Sequence, residues 1–202
     1  MVKRIGLLVF EDVDLLDVGG PYEVFLTAGR LRQRDGEANP FEVIVVGATS
    51  DPVTAYGGMG LVPATTVDEG GPIDVAVVPG AIAIDRVSAS PSVKAAVRRL
   101  LDVSTVTASV CTGAFLLGDA GALSRGWTTH WEDIDDLGRR LGSDGGMRER
   151  WVDAGTVVTG GGLSSGIAMA LHVVERLEGR DLATRTARQI DYVWDPDEGV
   201  VL

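Results

Sequence analysis

The sequence has 202 residues, 45% of them hydrophobic and 23% charged, with a formal net charge of −11 at pH 7. That is enough chain for one well-cored domain, and the acidity, unbroken by any lysine or arginine run, argues against a nucleic-acid surface. The single cysteine excludes an internal disulfide and fits a reducing, cytoplasmic setting, and no apolar run approaches the length of a membrane span.

The chain opens on two cations before an apolar run, as a signal peptide does. That run meets Glu11 and Asp12 too soon, so it reads as a first strand over residues 5–10. Leu16-Asp17-Val18-Gly19-Gly20-Pro21 follows as a loop, with a helix expected over residues 21–34 and Pro21 in its first turn. A second strand is expected over residues 41–46, a glycine-rich hairpin over 52–61 and a fully apolar strand over 73–78 that ends at Pro79-Gly80-Ala81. An amphipathic helix over 92–101 leads to a strand ending at Val110. Thr128, Thr129 and His130 close a short extended piece. A helix covers residues 134–141, and residues 151–153 and 156–159 form a strand pair around Ala154-Gly155. Gly160-Gly161-Gly162 leads into a long helix to Leu177. A last helix spans residues 181–192, and the chain beyond Pro196 is expected to be loose. Strands alternating with helices, without repeats or linker-like stretches, imply one α/β domain over residues 1–202, with a mostly parallel sheet covered on both faces.

The stretch of residues 105–118, T-V-T-A-S-V-C-T-G-A-F-L-L-G, places Cys111 on the seam between a strand and a helix. A thiol on such a turn is held at the tip of the strand, and Gly113 lets the turn close. The helix start behind it offers amide groups and the positive end of a dipole, which favour the thiolate. A lone cysteine is equally at home as a small buried hydrophobe. Asp17, just past the first strand, is the candidate acid/base; the same residue type also suits a helix N-terminus. A carboxyl beside a thiol would titrate with it as a pair. The backbone amides of Gly80, Ala81 and Thr112 are candidates to hold a developing negative charge. His130 is either a proton shuttle or a hydrogen-bonded structural histidine, and His172 reads as structural. Two scattered histidines and one cysteine have no metal-ligand spacing, so no metal site is expected. The triple glycine lacks the Lys-Ser/Thr of a phosphate loop and reads as close backbone packing around Gly161. Ser109 sits two residues before the thiol and lacks the turn that would make it a nucleophile.

Together these residues resemble the ThiJ/PfpI superfamily, with its class I glutamine amidotransferase-like, flavodoxin-like three-layer fold. The resemblance covers nearly the whole chain. It is carried by L-D-V-G-G-P at residues 16–21, V-V-P-G at 77–80, S-V-C-T-G-A at 109–114, W-T-T-H-W at 127–131 and T-G-G-G-L-S-S-G-I at 159–167. Within the superfamily the combination is most similar to the isonitrile hydratases, and nearly as close to the sensor domain of AraC-type regulators. The helix-turn-helix module of those regulators is not expected here. The hydratase resemblance implies that Cys111 attacks the isocyanide carbon to give a thioimidate, that Asp17 moves the protons and activates water, and that Thr112 supports both. The product would be an N-substituted formamide. Amidase, peptidase or glyoxal chemistry, or a non-enzymatic ligand or oxidation sensor, are the alternatives the superfamily offers. Asp rather than Glu at position 17 resembles the hydratase side. Ala81 stands where the family usually has a second glycine, and Ala168 where the hydratases carry an acid. The resemblance further implies a small-molecule substrate, no cofactor, and a homodimer with Cys111 near the subunit boundary.

Overall fold

Strands that are apolar on both sides must be covered on both faces, and the chain is built that way. The computed structural model describes residues 1–202. The first half runs β1 (Lys3–Val9), α1 (Leu15–Arg34), β2 (Phe41–Gly47), β3 (Val53–Thr54), β4 (Gly60–Leu61), β5 (Thr65–Thr66), β6 (Ile73–Val78), α2 (Ile84–Ala89) and α3 (Pro91–Val103). The second half runs β7 (Ser104–Val110), α4 (Gly113–Asp119), α5 (Ile134–Leu141), β8 (Trp151–Asp153), β9 (Val157–Gly160), α6 (Ser165–Glu178), α7 (Arg180–Gln189) and β10 (Val200–Val201). Eight strands form one sheet in the order β10-β8-β9-β7-β6-β1-β2-β5, while β3 and β4 make the expected antiparallel hairpin. Every pairing in the large sheet is parallel except β8 with β9.

The order explains where a site can form. From β1 the chain moves outward to β2, then returns across β1 to β6 and continues the other way to β7. Right-handed crossovers therefore put α1 and α3 on opposite faces and open a crevice at the carboxyl ends of β1 and β6. Helices α1, α6 and α7 pack on one another over one face, and α2 to α5 form the other layer. Ile5, Leu7, Leu8, Val9, Val75, Val77, Val78, Ala108 and Val110 are at most 1% exposed. Each large aliphatic side chain so buried contributes about 1.5–3 kcal/mol relative to exposure.

Two expectations are corrected. Helix α1 starts at Leu15, six residues before Pro21, because Asp14 caps it by accepting the Leu16 N–H at 3.2 Å. Pro21 lies inside the helix and gives up only the amide that would reach back to residue 17. The chain end is not loose. Val200 pairs with Val152, the Leu202 N–H donates to the Asp153 carbonyl at 2.9 Å, and Gly199 lies so close on the Trp151 ring that a Cβ would collide with it.

Candidate active site

Two strand ends and the first turn of α1 deliver three residues to the crevice, Gly80 after β6, Cys111 after β7 and Asp17. Cys111 follows β7 with φ +55, a left-handed conformation that a side-chain-bearing residue adopts at a cost of about 1–3 kcal/mol. Several backbone bonds hold it there. The Cys111 N–H is shared between the carbonyls of Gly160 (3.2 Å) and Gly161 (2.9 Å) beyond β9, and the Cys111 carbonyl accepts the Thr129 hydroxyl at 2.9 Å. A Cβ on Gly113 would run into the Val78 carbonyl and lie 2.9 Å from Pro79, so only glycine lets α4 start so near β6. The strand-to-helix elbow read from the sequence is present, and its strain is over-determined by its neighbours.

Asp17 is 0% exposed, and its Oδ2 accepts the Gly80 N–H at 2.9 Å while Oδ1 has no partner. It sits in the first turn of α1, where a helix dipole would lower a carboxyl pKa. The opposite happens. Burial pushes it up to about 7, the Gly80 amide works against that rise, and the Asp14 charge adds to it. Thr112 faces the same point, with its hydroxyl donating to the Ala81 carbonyl and accepting the Ala81 N–H, both at 2.9 Å. A Cβ on Gly80 would lie 2.5 Å from Thr112 Oγ1, 2.7 Å from Thr112 N and 3.0 Å from Asp17 Oδ2. Gly80 is thus the spot where acid and elbow meet.

Cys111 is buried, with 8% of the residue exposed. Its thiol is pushed up to about 12, first by burial and then by the Asp17 charge; the amides of Leu163 and Thr112 oppose this and Asp14 adds to it. The expectation of a resting thiolate is therefore corrected: nearby amides do favour the thiolate, but burial and a neighbouring carboxyl outweigh them. The oxyanion expectation changes as well, because the amides of Gly80 and Ala81 are already bound to Asp17 and Thr112. The amide of Thr112, the third named for that role, works to lower the thiol's pKa instead.

His130 makes no hydrogen bond to Cys111 or Asp17. Its ring lies against Gly162, and its Nδ1 stands 3.5 Å from Asp133 and 3.8 Å from Glu132. Gly161 serves through its backbone, its carbonyl on the Cys111 amide and its own N–H on the Arg150 carbonyl at 2.9 Å. His172 is structural. It is stacked on Trp151 at 3.6 Å and bonded through Nε2 to Asp153 at 2.7 Å, and Arg176 reaches the same carboxylate at 2.9 Å. Ser109 is fully buried below the elbow, with no hydrogen-bond partner. Nowhere do three or more His, Cys, Asp and Glu side chains group as metal ligands. Two contributors escaped the sequence reading, Thr129 and Leu163. Both lie inside motifs that stood out, but their roles run through a hydroxyl-to-backbone bond and a backbone amide, which residue type does not announce.

The model of the DJ-1/PfpI family matches residues 3–176. The chain belongs to the DJ-1/PfpI family. Among its relatives, the isonitrile hydratase of Pseudomonas putida is 32% identical over 197 residues, spanning 97% of this chain and 81% of that protein. A ThiJ/PfpI family protein from Pseudomonas syringae superposes with a TM-score of 0.81 at 24% identity, covering 98% of this chain and 78% of that one. An AraC family transcriptional regulator from Pseudomonas putida gives 0.80 at 20% identity, covering 93% and 99% of the two chains. The last two establish the flavodoxin-like DJ-1/PfpI fold and nothing about chemistry. In this DJ-1/PfpI chain the triple-glycine turn acts as the backing plate of the elbow rather than as a phosphate cradle.

Proposed function

We propose that the protein is a cysteine-dependent, isonitrile hydratase-like enzyme. The observation that carries the reading is a strained Cys111 whose thiol feels the charge of a wholly buried Asp17, itself pushed up to about 7. The similarity to an isonitrile hydratase over 97% of the chain supports it. Such a carboxyl exchanges protons at neutral pH, which the chemistry demands.

In the proposed cycle the thiol and carboxyl hold one proton between them. Sulfur bonds to the terminal carbon of R–N≡C while Asp17 takes the thiol proton and returns it to that carbon, giving R–N=CH–S on Cys111. Asp17 then removes a proton from water as the oxygen adds to the same carbon, and that proton goes to nitrogen. Collapse of R–NH–CH(OH)–S releases R–NH–CHO, and the hydroxyl proton restores the pair. One water is consumed and no redox change occurs. The amides of Leu163 and Thr112 stabilise charge on sulfur as it forms and leaves. Thr112 holds the Pro79-Gly80-Ala81 turn and through it the Asp17 carboxyl. We further propose that the protein acts as a homodimer on a small molecule.

The oxidation-sensor alternative draws no support from a thiol pushed up to about 12, because peroxide reacts with thiolate. Incubation with phenyl isocyanide, followed by chromatography for formanilide, tests the proposal. Turnover that disappears in Cys111→Ala is expected; equal rates in the two proteins would overturn it.

A further inference from the structure

Beside the elbow lies an open cleft of about 480 Å³, walled by residues 128–131, 148–150 and 161–165 together with Ile134. That volume is within the range of small-molecule sites. Cys111 itself does not line the cleft, but two of the lining residues reach it. The Leu163 amide lies near enough to favour the Cys111 thiolate, and Thr129 donates to the Cys111 carbonyl at 2.9 Å. A substituent attached to a carbon bonded at that sulfur has this opening beside it.

The lining has two characters. Trp131 is 62% exposed and Leu163 39%, and with Ile134 they give an apolar side on which a ring can lie. The lining also carries two arginines. Arg150 is occupied, its Nε 3.5 Å from Glu198 and its Nη1 donating to the Ser164 hydroxyl at 3.4 Å. Glu149 offers its carbonyl to the Thr128 hydroxyl at 3.1 Å. Arg148 is exposed and has neither an ion-pair partner nor a side-chain hydrogen bond, in a protein of net charge −11. A planar guanidinium left free in the same cleft as exposed aromatic and aliphatic surface matches a carboxylate on an apolar body.

We infer that the cleft selects a substrate with an aromatic body and a carboxylate, the ring lying on Trp131, Ile134 and Leu163 and the carboxylate meeting Arg148. For the reacting group this rests on the hydratase reading, so the substrate class is an aryl isocyanide bearing a carboxylate. The recognition chemistry stands on the cleft alone and is tested by binding. Calorimetry on the full chain compares the two corresponding products, 4-formamidobenzoate and formanilide. The acid is expected to bind about tenfold more tightly at low salt, as one charge-assisted contact provides, and to lose that margin in 0.5 M salt. In Arg148→Gln the ratio of the two affinities is expected to fall to about one. Equal affinities in the unaltered protein, or a ratio that survives in Arg148→Gln, would overturn the inference. The hydratase reading is judged separately by turnover of phenyl isocyanide, so failure of either is told apart from failure of the other.

Discussion

At the scale of single residues the site is governed by the cost of burying charge. Asp17 carries a pKa pushed to about 7, against 3.8 for an ordinary aspartate, so the folded chain binds a proton that the unfolded chain has lost between those values. Stability therefore falls as pH rises through that window and levels off above it, by about 1.4 kcal/mol for each unit of displacement at most. Asp17→Asn keeps an acceptor for Gly80 and cannot ionise. Its melting temperature relative to the parent is expected to climb between pH 5 and pH 8, and a constant difference across that range would contradict the burial argument. The same group sets the pH dependence of turnover. One proton on the thiol–carboxyl pair is the reactive state, so kcat/KM for an isocyanide should rise with pH through an apparent pKa near 7, then stay flat towards the thiol's about 12. A profile that falls across pH 6–8 would reject the assignment. The backbone of Cys111 can be tested independently. Glycine relieves a φ of +55 and alanine does not, so Cys111→Gly should be about 1 kcal/mol more stable than Cys111→Ala by denaturant titration, both being inactive.

At the scale of elements, the site was half legible. The elbow could be read because strand periodicity, a cysteine, a glycine and an apolar helix start all fall within residues 105–118. The neutral state of Asp17 could not, because it depends on where α1 begins. Once the helix starts at Leu15, residues 17, 21, 24, 28 and 31 lie on one buried stripe, and an acid occupies a position that spacing reserves for an apolar side chain. Setting the start at Pro21 hid that stripe's first member. The misreading came from treating Gly19-Gly20-Pro21 as loop punctuation. In the folded chain Gly20 serves packing instead, since a Cβ there would lie 3.0 Å from Ile167 of α6. Likewise Pro79-Gly80 looked like a turn, whereas Gly80 is the clearance between acid and elbow. Gly80→Ala should displace Asp17 and Thr112 together. We expect a loss of about 100-fold in kcat/KM, as an ångström-scale misplacement produces, and a destabilisation of about 1–3 kcal/mol. Activity within threefold of the parent would show that the junction tolerates a methyl group.

For the whole molecule, the mostly parallel sheet covered by helices on both faces was readable from the alternation of apolar runs with helical segments, whereas the strand order that puts the crossing point at β1 and β6 was not, because it is set by long-range pairing. The quaternary arrangement is a proposal. Multi-angle light scattering at micromolar concentration is expected to give twice the mass of the 21.2 kDa chain, and a monomer there would remove it. The outermost strands constrain how two copies can meet. β5 and β10 contribute two residues each. A margin so brief offers a foreign strand almost no unfilled backbone donors and acceptors to zip onto. Self-association by extending the ladder is therefore discouraged at the β10 border, where β8 behind it has only three residues, but not along β2, of which β5 pairs only Val46 and Gly47. At the β10 border, contact between copies would be left to side chains on loops and helices, which can separate and re-form without unravelling either fold.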